Sequence, residues 1–459
     1  MALGYVTHGV VDTLTHMRLW LAVVLWSIAG VQACSRPAAI PPHRGEIAPV
    51  PAADYLVDAF NRFPLVAFSE PRHGAGGTRE FLTSLVRHPR FAGTVNDIVV
   101  EFGNARYQEI ADRYVAGEPV PRDQLKQIWE NTTVVSGVWT APMYEGMLSE
   151  IRNLNESVPL SKRIRVVLGD PPIDWSVVRG PADEDMNDWR DAHFAWAIEE
   201  QVMKRRRRAL IWIGGAHLGR QVRFPNSLIH LLDRRFPNRT LVALSIDRRD
   251  VSQEVADRLG EWRSFFAAPV SDTWLGRLDF GLVGGHLSTG TIEQNMDAAV
   301  FWEFPQSRPD EGPRVDSQSP VGIELQRRQR LSEATITFRG GKIRFAAETA
   351  ALTPESEPAL RSVLAELQRD RELNLLVKAF ADAREANGAQ LSLERARLVA
   401  DWLVTRGIRR ERLEPRGCGS TRALWVGHTE QERAANRKAE LVRASKWAGC
   451  EPPASFDFP

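Results

Sequence analysis

The stretch Leu65-Val-Ala-Phe-Ser-Glu-Pro-Arg-His-Gly74 indicates how the first part of the chain folds. Its apolar start has the length of a buried strand and ends abruptly at the ionisable residues Glu70 and His73. Glycines at positions 74, 76 and 77 favour a sharp turn, and Thr78 can cap a helix behind it. Groups just beyond the carboxyl ends of parallel strands face the crevice where ligands bind. We therefore expect Glu70 and His73 to lie in a cleft.

The same pattern, an apolar run followed by an ionisable residue, recurs further along the chain. These later runs end at Glu101, Asp170, His217 and Asp247. The segments between them are long enough for crossover helices, which parallel strands require. The sequence therefore predicts an α/β fold, in which a mostly parallel sheet is flanked by helices. We interpret Asp170 and Asp247 as turn caps, because Asp is common in that role.

Length and composition indicate a soluble protein of more than one domain. With 459 residues, two or three domains are expected, and 43% hydrophobic with 25% charged residues is typical of globular proteins. The 59 Lys and Arg residues are balanced by 58 Asp and Glu residues, which argues against nucleic acid as a partner. One basic run, Lys204 to Arg208, precedes the strand that leads to His217. We interpret this run as a solvated helix C-terminus.

The N-terminal segment has the features of an export signal. Arg18 precedes the apolar run Leu19 to Val31, which is too short for a transmembrane helix and is followed by Gln-Ala-Cys34. The segment resembles a bacterial lipoprotein signal covering residues 1–33, with Met17 as the preferred start. The resemblance implies that Cys34 carries the lipid anchor and that the protein lies on the periplasmic face of the outer membrane. The alternative is an ordinary secretory signal or an uncleaved anchor.

Composition then divides the exported chain into segments. Residues 34–52 are proline-rich and predict a tether, residues 53–306 carry the strand and helix alternation, and residues 307–330 predict a linker. Residues 331–449 form a separate unit. If Cys34 is lipidated, Cys418 and Cys450 remain as an even pair in an oxidising compartment. A disulfide between them is plausible there, although the sequence alone leaves it open.

The last unit shows a different order of elements. Thr335 to Phe338 predicts a strand, and Gly340-Gly341 a hairpin turn after it. The segments Leu373 to Phe380 and Lys438 to Ala444 predict further strands, and Leu391 to Arg406 a helix. This order predicts a smaller α/β sandwich with its helices on one face of the sheet.

This unit resembles the OmpA-like peptidoglycan-binding domain. The resemblance rests on Leu391-Ser-Leu-Glu-Arg395-Ala396, Gly417-Cys-Gly419 and Arg433-Ala-Ala-Asn436-Arg437, in that order. It implies that peptidoglycan is a partner and that Asp382 and Arg395 hold the diaminopimelate of its stem peptide. A carboxylate suits the ammonium of that residue, and a guanidinium suits its carboxylate. Of the family's usual Gly-His-Thr-Asp quartet, only Asp382 is present.

The large domain resembles the erythromycin esterase-like superfamily, which includes the ChaN-like haem-binding proteins. The motif Gly-Glu-x-x-His-Gly corresponds to Ser69-Glu-Pro-Arg-His-Gly74, with Ser in place of the first Gly. Glu101 at the end of a strand, Arg190 at the start of a helix, and His217 after a strand complete the resemblance. The resemblance implies ester hydrolysis by Glu70, His73, Glu101, Arg190 and His217.

The chemistry of these side chains is consistent with hydrolysis. A histidine beside carboxylates can deprotonate water, so we assign His73 as general base, oriented by Glu70 or Glu101. Arg190 and His217 can stabilise an oxyanion. The large domain has no Gly-x-Ser-x-Gly motif, which favours direct attack by water.

Two alternatives remain open at this stage. The first is a non-catalytic module that binds haem or a divalent metal, because histidines and carboxylates are also metal ligands. The second is a purely structural link between the outer membrane and the cell wall. No cofactor is assured by the sequence.

Overall fold

The computed structural model describes residues 45–70, 72–74, 77–180, 190–221, 227–260, 264–283, 288–303, 315–338, 343–421, 429–444 and 450. The predicted signal peptide, Cys34 and residues 34–44 of the predicted tether lie outside these ranges. Within them, no helix is both long enough and apolar enough to cross a membrane.

A single large sheet organises the first domain. Among the described residues it contains eight strands, in the order β1-β7-β8-β6-β2-β5-β3-β4. The strands are β1 Val50–Pro51, β2 Leu65–Glu70, β3 Asp97–Asn104, β4 Arg165–Asp170, β5 Ala209–Gly214, β6 Thr240–Asp247, β7 Phe266–Pro269 and β8 Ala298–Trp302. Strands β2 to β6 and β8 pair in parallel, whereas β7 and β1 pair antiparallel at one edge.

Helices cover both faces of this sheet. They are α1 Ala52–Ala59, α2 Thr78–Val86, α3 Gln108–Val115, α4 Pro142–Ser157, α5 Arg190–Ile198, α6 Leu228–Arg235 and α7 Gln253–Leu259. Single helical turns occur at Phe91–Thr94, Arg122–Leu125, Gln127–Glu130 and Ile292–Asn295. Along β2, Val66 and Phe68 pack with α1 to α4, whereas Leu65 and Ala67 pack with α5 to α7. Successive strand residues point to opposite faces, so an apolar strand such as β2 requires this double cover.

The C-terminal unit has its own sheet and core. In the described residues its sheet has three strands, in the order β10-β9-β11. They are β9 Leu375–Ala379, β10 Leu413–Gly417 and β11 Ala439–Arg443, with helices α9 Glu357–Arg369, α10 Gly388–Val404 and α11 Glu430–Asn436. Strand β10 is parallel to β9, and β11 is antiparallel to it. The predicted fold class, a large parallel α/β domain followed by a small α/β unit, is confirmed.

The end of the predicted tether is part of the large domain. Gly45 forms a bridge with Thr273, and Trp274 donates its backbone N–H to the Gly45 carbonyl at 3.0 Å. Strand β1 then pairs with β7 at the sheet edge. Of the tether predicted over residues 34–52, Val50 and Pro51 form this edge strand and Ala52 begins α1.

The strand predicted from Thr335 to Phe338 is wrong. A long helix, α8 Pro320–Phe338, occupies this segment and the second half of the predicted linker. Gly340-Gly341 lies outside the described residues. Arg328 anchors this helix, because its guanidinium donates to the Glu130 carbonyl at 2.6 Å and to Asn131 Oδ1 at 2.8 Å. Such contacts with the large domain override the local β preference of the segment.

Candidate functional site

The carboxyl ends of the central strands bring the predicted site residues of the large domain together. Strand β2 lies between β5 and β6, and the chain leaves β2 towards β3 on one side but later returns to β6 on the other. Pairing of β3 with β5 ends at Val100, and the next side chain, Glu101, accepts the Gly214 N–H at 2.7 Å. The topology therefore brings the carboxyl ends of β2, β3 and β5 together on one side of the domain.

His73 and Glu70 form the first half of the site. Nδ1 of His73 is 2.9 Å from Oε2 of Glu70, and the Tyr144 hydroxyl donates to Oε1 of Glu70 at 3.1 Å. The Gly74 N–H in turn donates to the Tyr144 oxygen at 3.1 Å. Glu70 is buried, whereas 35% of the His73 side chain remains exposed. The buried carboxylate therefore holds an imidazole that solvent can reach.

Glu101 joins the second half of the site. Its Oε1 lies 2.8 Å from Nη2 of Arg190 and 3.4 Å from Nε2 of His217. Arg190 also pairs with Asp170 at 3.1 Å, and His217 Nδ1 lies 2.9 Å from Asp191. One carboxylate is therefore shared by two basic side chains, and each of these has a second carboxylate behind it.

The charges on this second group are fixed by the ion pairs. Burial alone would raise the pKa of the Glu101 carboxyl, but the charges of His217 and Arg190 hold that pKa well below its usual value. Burial would lower the pKa of His217, yet Asp191 and Glu101 outweigh it and raise the pKa to about 10. His217 is therefore an imidazolium at neutral pH, and it supplies a second positive charge beside Arg190.

The first group titrates differently. Burial raises the pKa of the Glu70 carboxyl, and its hydrogen bond with His73 only partly opposes this. Burial also acts to lower the pKa of His73, but Glu70 and Glu101 together raise it above its ordinary value. Burial likewise raises the pKa of Asp170 to about 6, despite Arg190 and the Thr133 hydrogen bonds. His73 is thus the more exposed histidine of the site, and its pKa lies above the ordinary histidine value.

Close packing at Gly214 brings the two halves into contact. A Cβ atom built on Gly214 would lie 3.1 Å from both Oε2 of Glu101 and Cε1 of His73, and 3.3 Å from Nε2 of His73. These distances are tighter than most Cβ contacts, so the gap between imidazole and carboxylate suits glycine. The indole of Trp139 packs edge-on against His73, with ring centroids 4.5 Å apart, and forms an apolar wall beside it.

The five residues predicted for the large domain, Glu70, His73, Glu101, Arg190 and His217, thus lie in one site. Sequence analysis missed Tyr144 and Asp191, which hold Glu70 and His217. Tyr144 lies among buried apolar residues of α4 and resembles ordinary core; the signal available was that a buried tyrosine hydroxyl needs a partner. Asp247 caps the next turn as predicted, whereas Asp170 does not serve only as a cap, because it holds Arg190.

The side chains of this site do not fit a divalent metal. Among the described residues, no group of three or more His, Cys, Asp or Glu side chains is arranged to hold a metal ion. Both ring nitrogens of His217 face carboxylates, and Glu101 already neutralises two basic groups. Haem binding stays an untested prediction.

Asp382 and Arg395 lie close to each other in the C-terminal unit, but both are buried. Asp382 accepts hydrogen bonds from Asn436 Nδ2 at 2.9 Å and from the Arg384 N–H at 3.1 Å. Arg395 forms a two-point ion pair with Glu385, at 2.6 and 2.7 Å. Its remaining N–H groups donate to the carbonyls of residues 346, 349 and 380. Since a guanidinium has five N–H donors, none is left for a ligand in this state.

Cys418 and Cys450 are joined by a disulfide, with their Cα atoms 5.3 Å apart. Cys418 directly follows β10, so the bond ties the chain beyond β11 back to the small sheet. This is the pairing that the sequence left open.

Residues 344–437 match the sequence model of the OmpA family. The segment, which contains β9, β10 and helices α9 to α11, is an OmpA-like domain. Peptidoglycan-binding protein ArfA of Mycobacterium tuberculosis is 29% identical over 145 residues, which are 31% of this chain and 40% of that protein. The protein named ArfA in Mycobacterium bovis matches to the same extent. The chain therefore spans less than half the length of these curated relatives.

Two solved structures show limited similarity to this chain. The peptidoglycan-associated lipoprotein of Burkholderia pseudomallei is 22% identical, covers 22% of this chain and 86% of its own, and has a TM-score of 0.21. A succinoglycan biosynthesis protein is 10% identical, covers 56% of this chain and 94% of its own, and has a TM-score of 0.42.

Proposed function

We propose that this protein is a peptidoglycan-associated protein of the cell envelope whose large domain hydrolyses carboxylic esters or lactones. The OmpA-like domain at residues 344–437 carries the first half of the proposal, and the relatives described as peptidoglycan-binding support it. The convergence of His73, Glu70, Glu101, Arg190 and His217 carries the second half. A lipid on Cys34 would place both domains at the periplasmic face of the outer membrane.

In the OmpA-like domain, the proposed ligand is the diaminopimelate of the stem peptide. Asp382 supplies a carboxylate for the ammonium of that residue. Arg395 has to be released by Glu385 before it can bind a ligand carboxylate, because its donors are all occupied. The two residues therefore need different tests. Truncation of Arg395 would leave Glu385 buried and unpaired, and would disturb the fold as well as any binding.

The test of this half uses Asp382→Asn in the full chain. The variant keeps the size of the side chain and removes its charge, and its amide nitrogen replaces one of the two oxygens that accept from Asn436 and Arg384. We expect it to stay in the supernatant when peptidoglycan is sedimented, whereas the wild type sediments. Glu411→Gln, an exposed charge removal in the same domain, is the matched control and should sediment normally. Sedimentation of Asp382→Asn at the wild-type level would contradict the assignment.

In the large domain, His73 is the proposed general base. With Glu70 ionised, Nδ1 of His73 donates to Glu70 and leaves the lone pair on Nε2. Nε2 takes a proton from water while the water oxygen bonds to the carbonyl carbon of the ester. The carbonyl oxygen becomes an oxyanion. Arg190 is the proposed donor to it, and His217, whose ring nitrogens face Glu101 and Asp191, contributes only its positive charge.

The second step reverses the proton transfer. The bond between the carbonyl carbon and the alcohol oxygen breaks, and the proton on Nε2 of His73 passes to the departing alkoxide. The products are a carboxylic acid and an alcohol, and His73 returns to its neutral form. Tyr144 acts through Glu70, since it donates to that carboxylate and fixes its position.

The test of this half compares two histidines that each pair with a carboxylate. His73→Asn should abolish hydrolysis of p-nitrophenyl esters or of simple lactones, while the variant keeps the wild-type circular dichroism spectrum and a cooperative thermal transition. His88→Asn removes a histidine that pairs with Asp54 at 2.9 Å outside the site, and it should retain wild-type turnover. Full turnover by His73→Asn, or no turnover by the wild type on either substrate class, would end the proposal.

A further inference from the structure

A second concave site lies at the other end of the central strands of the large sheet, where their amino ends meet. Strands β6, β2 and β5 are adjacent and parallel, so the residues that precede them meet at their amino ends. A cavity of about 440 Å³ is lined by residues 60–64 before β2, Met203 and residues 206–208 before β5, and Arg239 before β6. The proposed catalytic residues His73 and His217 follow the carboxyl ends of β2 and β5. The two sites are therefore separated by the length of the strands.

Arginine dominates the lining of this cavity. Five of the ten lining residues are arginines, namely Arg62, Arg206, Arg207, Arg208 and Arg239. They come from three separate segments, in a chain whose Lys and Arg exceed its Asp and Glu by only one. Composition therefore does not account for the cluster. The fold gathers it from segments that are distant in the sequence.

Most of these arginines lack an acidic partner. Arg207 pairs with Asp97, at 2.6 and 2.8 Å. Within the described ranges, no carboxylate forms an ion pair with the other four, and all four are exposed. Like charges gathered around a concavity repel one another and focus a positive potential into it. An anion in the cavity would relieve that repulsion.

The walls combine this charge with rigid apolar surface. Phe60 is buried at the back of the cavity, and the Arg62 guanidinium lies 5.1 Å from the ring centroid of Phe63. The chain enters the arginine segment from a π-helix, Glu199–Met203, and such helices are frequent at functional sites. Arg206 adopts a positive φ of 53°, which is unusual for a residue other than glycine. The segment is thus held in a specific shape.

We propose that this cavity binds a phosphate-bearing anion. Guanidinium groups match phosphate oxygens through paired hydrogen bonds, and several of them can share one phosphate or diphosphate. The cavity has the size of a small-ligand site, and its phenylalanine rings accommodate the less polar part of a phosphate ester. The phosphate belongs to a soluble ester or to a lipid headgroup, and both present the same chemistry to the arginines.

The test titrates the full chain with two kinds of probe. Pyrophosphate and glycerol 3-phosphate, followed by calorimetry at low salt, represent the soluble source. Flotation with vesicles of phosphatidylglycerol in phosphatidylcholine, compared with phosphatidylcholine alone, represents the lipid source. We expect at least one probe to bind, and to bind more weakly as salt is raised.

The decisive variant is Arg208→Ala combined with Arg239→Ala. It should weaken that binding at least about 10-fold, because two of the four unpaired guanidiniums are lost. Arg277→Ala combined with Arg397→Ala removes the same charge from exposed positions outside the cavity and should bind like the wild type. Ester hydrolysis and melting temperature report that both variants fold. The proposal is overturned if no probe binds, or if the two double variants lose binding equally.

Discussion

His73 and Glu70 together determine the pH range in which His73 can act as a base. Glu70 and Glu101 raise the pKa of His73, so the imidazole is neutral, and able to accept a proton, only towards the alkaline side of its ordinary range. We therefore expect kcat/KM to rise with pH along a limb above the usual histidine pKa of about 6.5. The rate rises with pH because only the neutral form of His73 can accept the proton from water.

Glu70→Gln tests the origin of that limb. Loss of the carboxylate removes the hydrogen bond and the charge that raise the pKa of His73, so the limb should move to lower pH. The rate on its plateau should also fall at least about 10-fold, because the imidazole tautomer is no longer held. The measurement is kcat/KM between pH 5 and 9. A limb that stays in place would assign the titration to another group.

Gly214 gives a steric test at the same scale. Its substitution by alanine places a methyl group 3.1 Å from both His73 and Glu101, and one of them must move. The required shift is a few tenths of an ångström, and because a misplacement of about 1 Å can cost on the order of 100-fold in rate, Gly214→Ala should lower kcat by up to about 10-fold. Gly93→Ala is the control, because nothing lies within 4 Å of its Cβ position. Equal kinetics for the two variants would show that this gap is not part of the site.

Individual residues were predictable where their chemistry contrasts with the apolar run before them. Glu70, Glu101 and His217 each come after an apolar run, and that contrast is visible in the sequence. Tyr144 was not predictable in this way, since it occupies a core position of a helix and only its hydroxyl takes part. The neighbours of Arg395 were not predictable either, because Glu385 meets it through tertiary packing.

At the scale of elements, Arg395 fixes α10 against the loops around β9. Its guanidinium is fully buried, and Glu385 supplies the only carboxylate that the described residues place against it. The pKa of Glu385 is lowered, because the Arg395 hydrogen bonds outweigh the effect of burial. The pair is therefore ionised at neutral pH and holds the start of α10 in place.

Glu385→Ala should destabilise this domain strongly. Removal of one partner of a buried pair leaves the other charge uncompensated and costs about 3–5 kcal/mol. Amide hydrogen exchange in β9 and α10 should accelerate accordingly, while exchange in β2 stays at the wild-type rate. Glu414→Ala, which removes an exposed partner of Arg416, should change neither. Unchanged exchange in the Glu385 variant would show that the ion pair with Arg395 does not stabilise this domain, because another anion or water then compensates the charge of Arg395.

The elements themselves were predictable where local pattern and tertiary environment agree. Strand β2 and helix α2 follow from an apolar run, a glycine turn and an amphipathic segment. Helix α8 was not predictable, because Thr335-Ile-Thr-Phe has local β preference while Arg327 and Arg328 attach the preceding turns to the large domain. The edge strand β1 was likewise hidden, since its two residues include a proline and gain their conformation from β7.

At the scale of the whole molecule, near-neutral net charge conceals an uneven distribution. The composition excludes a generally basic protein, but it contains no information on where the arginines gather. The order of the strands determines where these residues lie. Because β2, β5 and β6 are neighbours, arginines lie together at their amino ends, and carboxylates and histidines lie at their carboxyl ends. A strand order with crossovers of this kind is set by three-dimensional packing, and the sequence indicated only that the strands are parallel.

The ion pairs at the carboxyl ends also make the stability of the molecule depend on pH. The pKa of His217 is about 10 in the folded protein and about 6.5 in an unfolded chain, so the folded state binds the extra proton between these values. Its stabilising effect is complete below about pH 6.5 and is lost as pH rises towards 10. The free energy of unfolding of the large domain should therefore fall with pH in this window, with a slope that approaches about 1.4 kcal/mol per pH unit.

His217→Gln isolates this contribution, because glutamine can keep a hydrogen bond to Asp191 but has no proton to lose. Between pH 7 and 9 its unfolding free energy, measured by urea titration with tryptophan fluorescence, should vary less with pH than that of the wild type. His73 has a raised pKa as well and keeps a residual slope in the same direction. The double variant His73→Asn, His217→Gln should therefore be the flattest of the three. If the single variant keeps the full wild-type slope, His217 is not the group that titrates. The assignment of a positive charge on His217 to the oxyanion site would then be wrong as well.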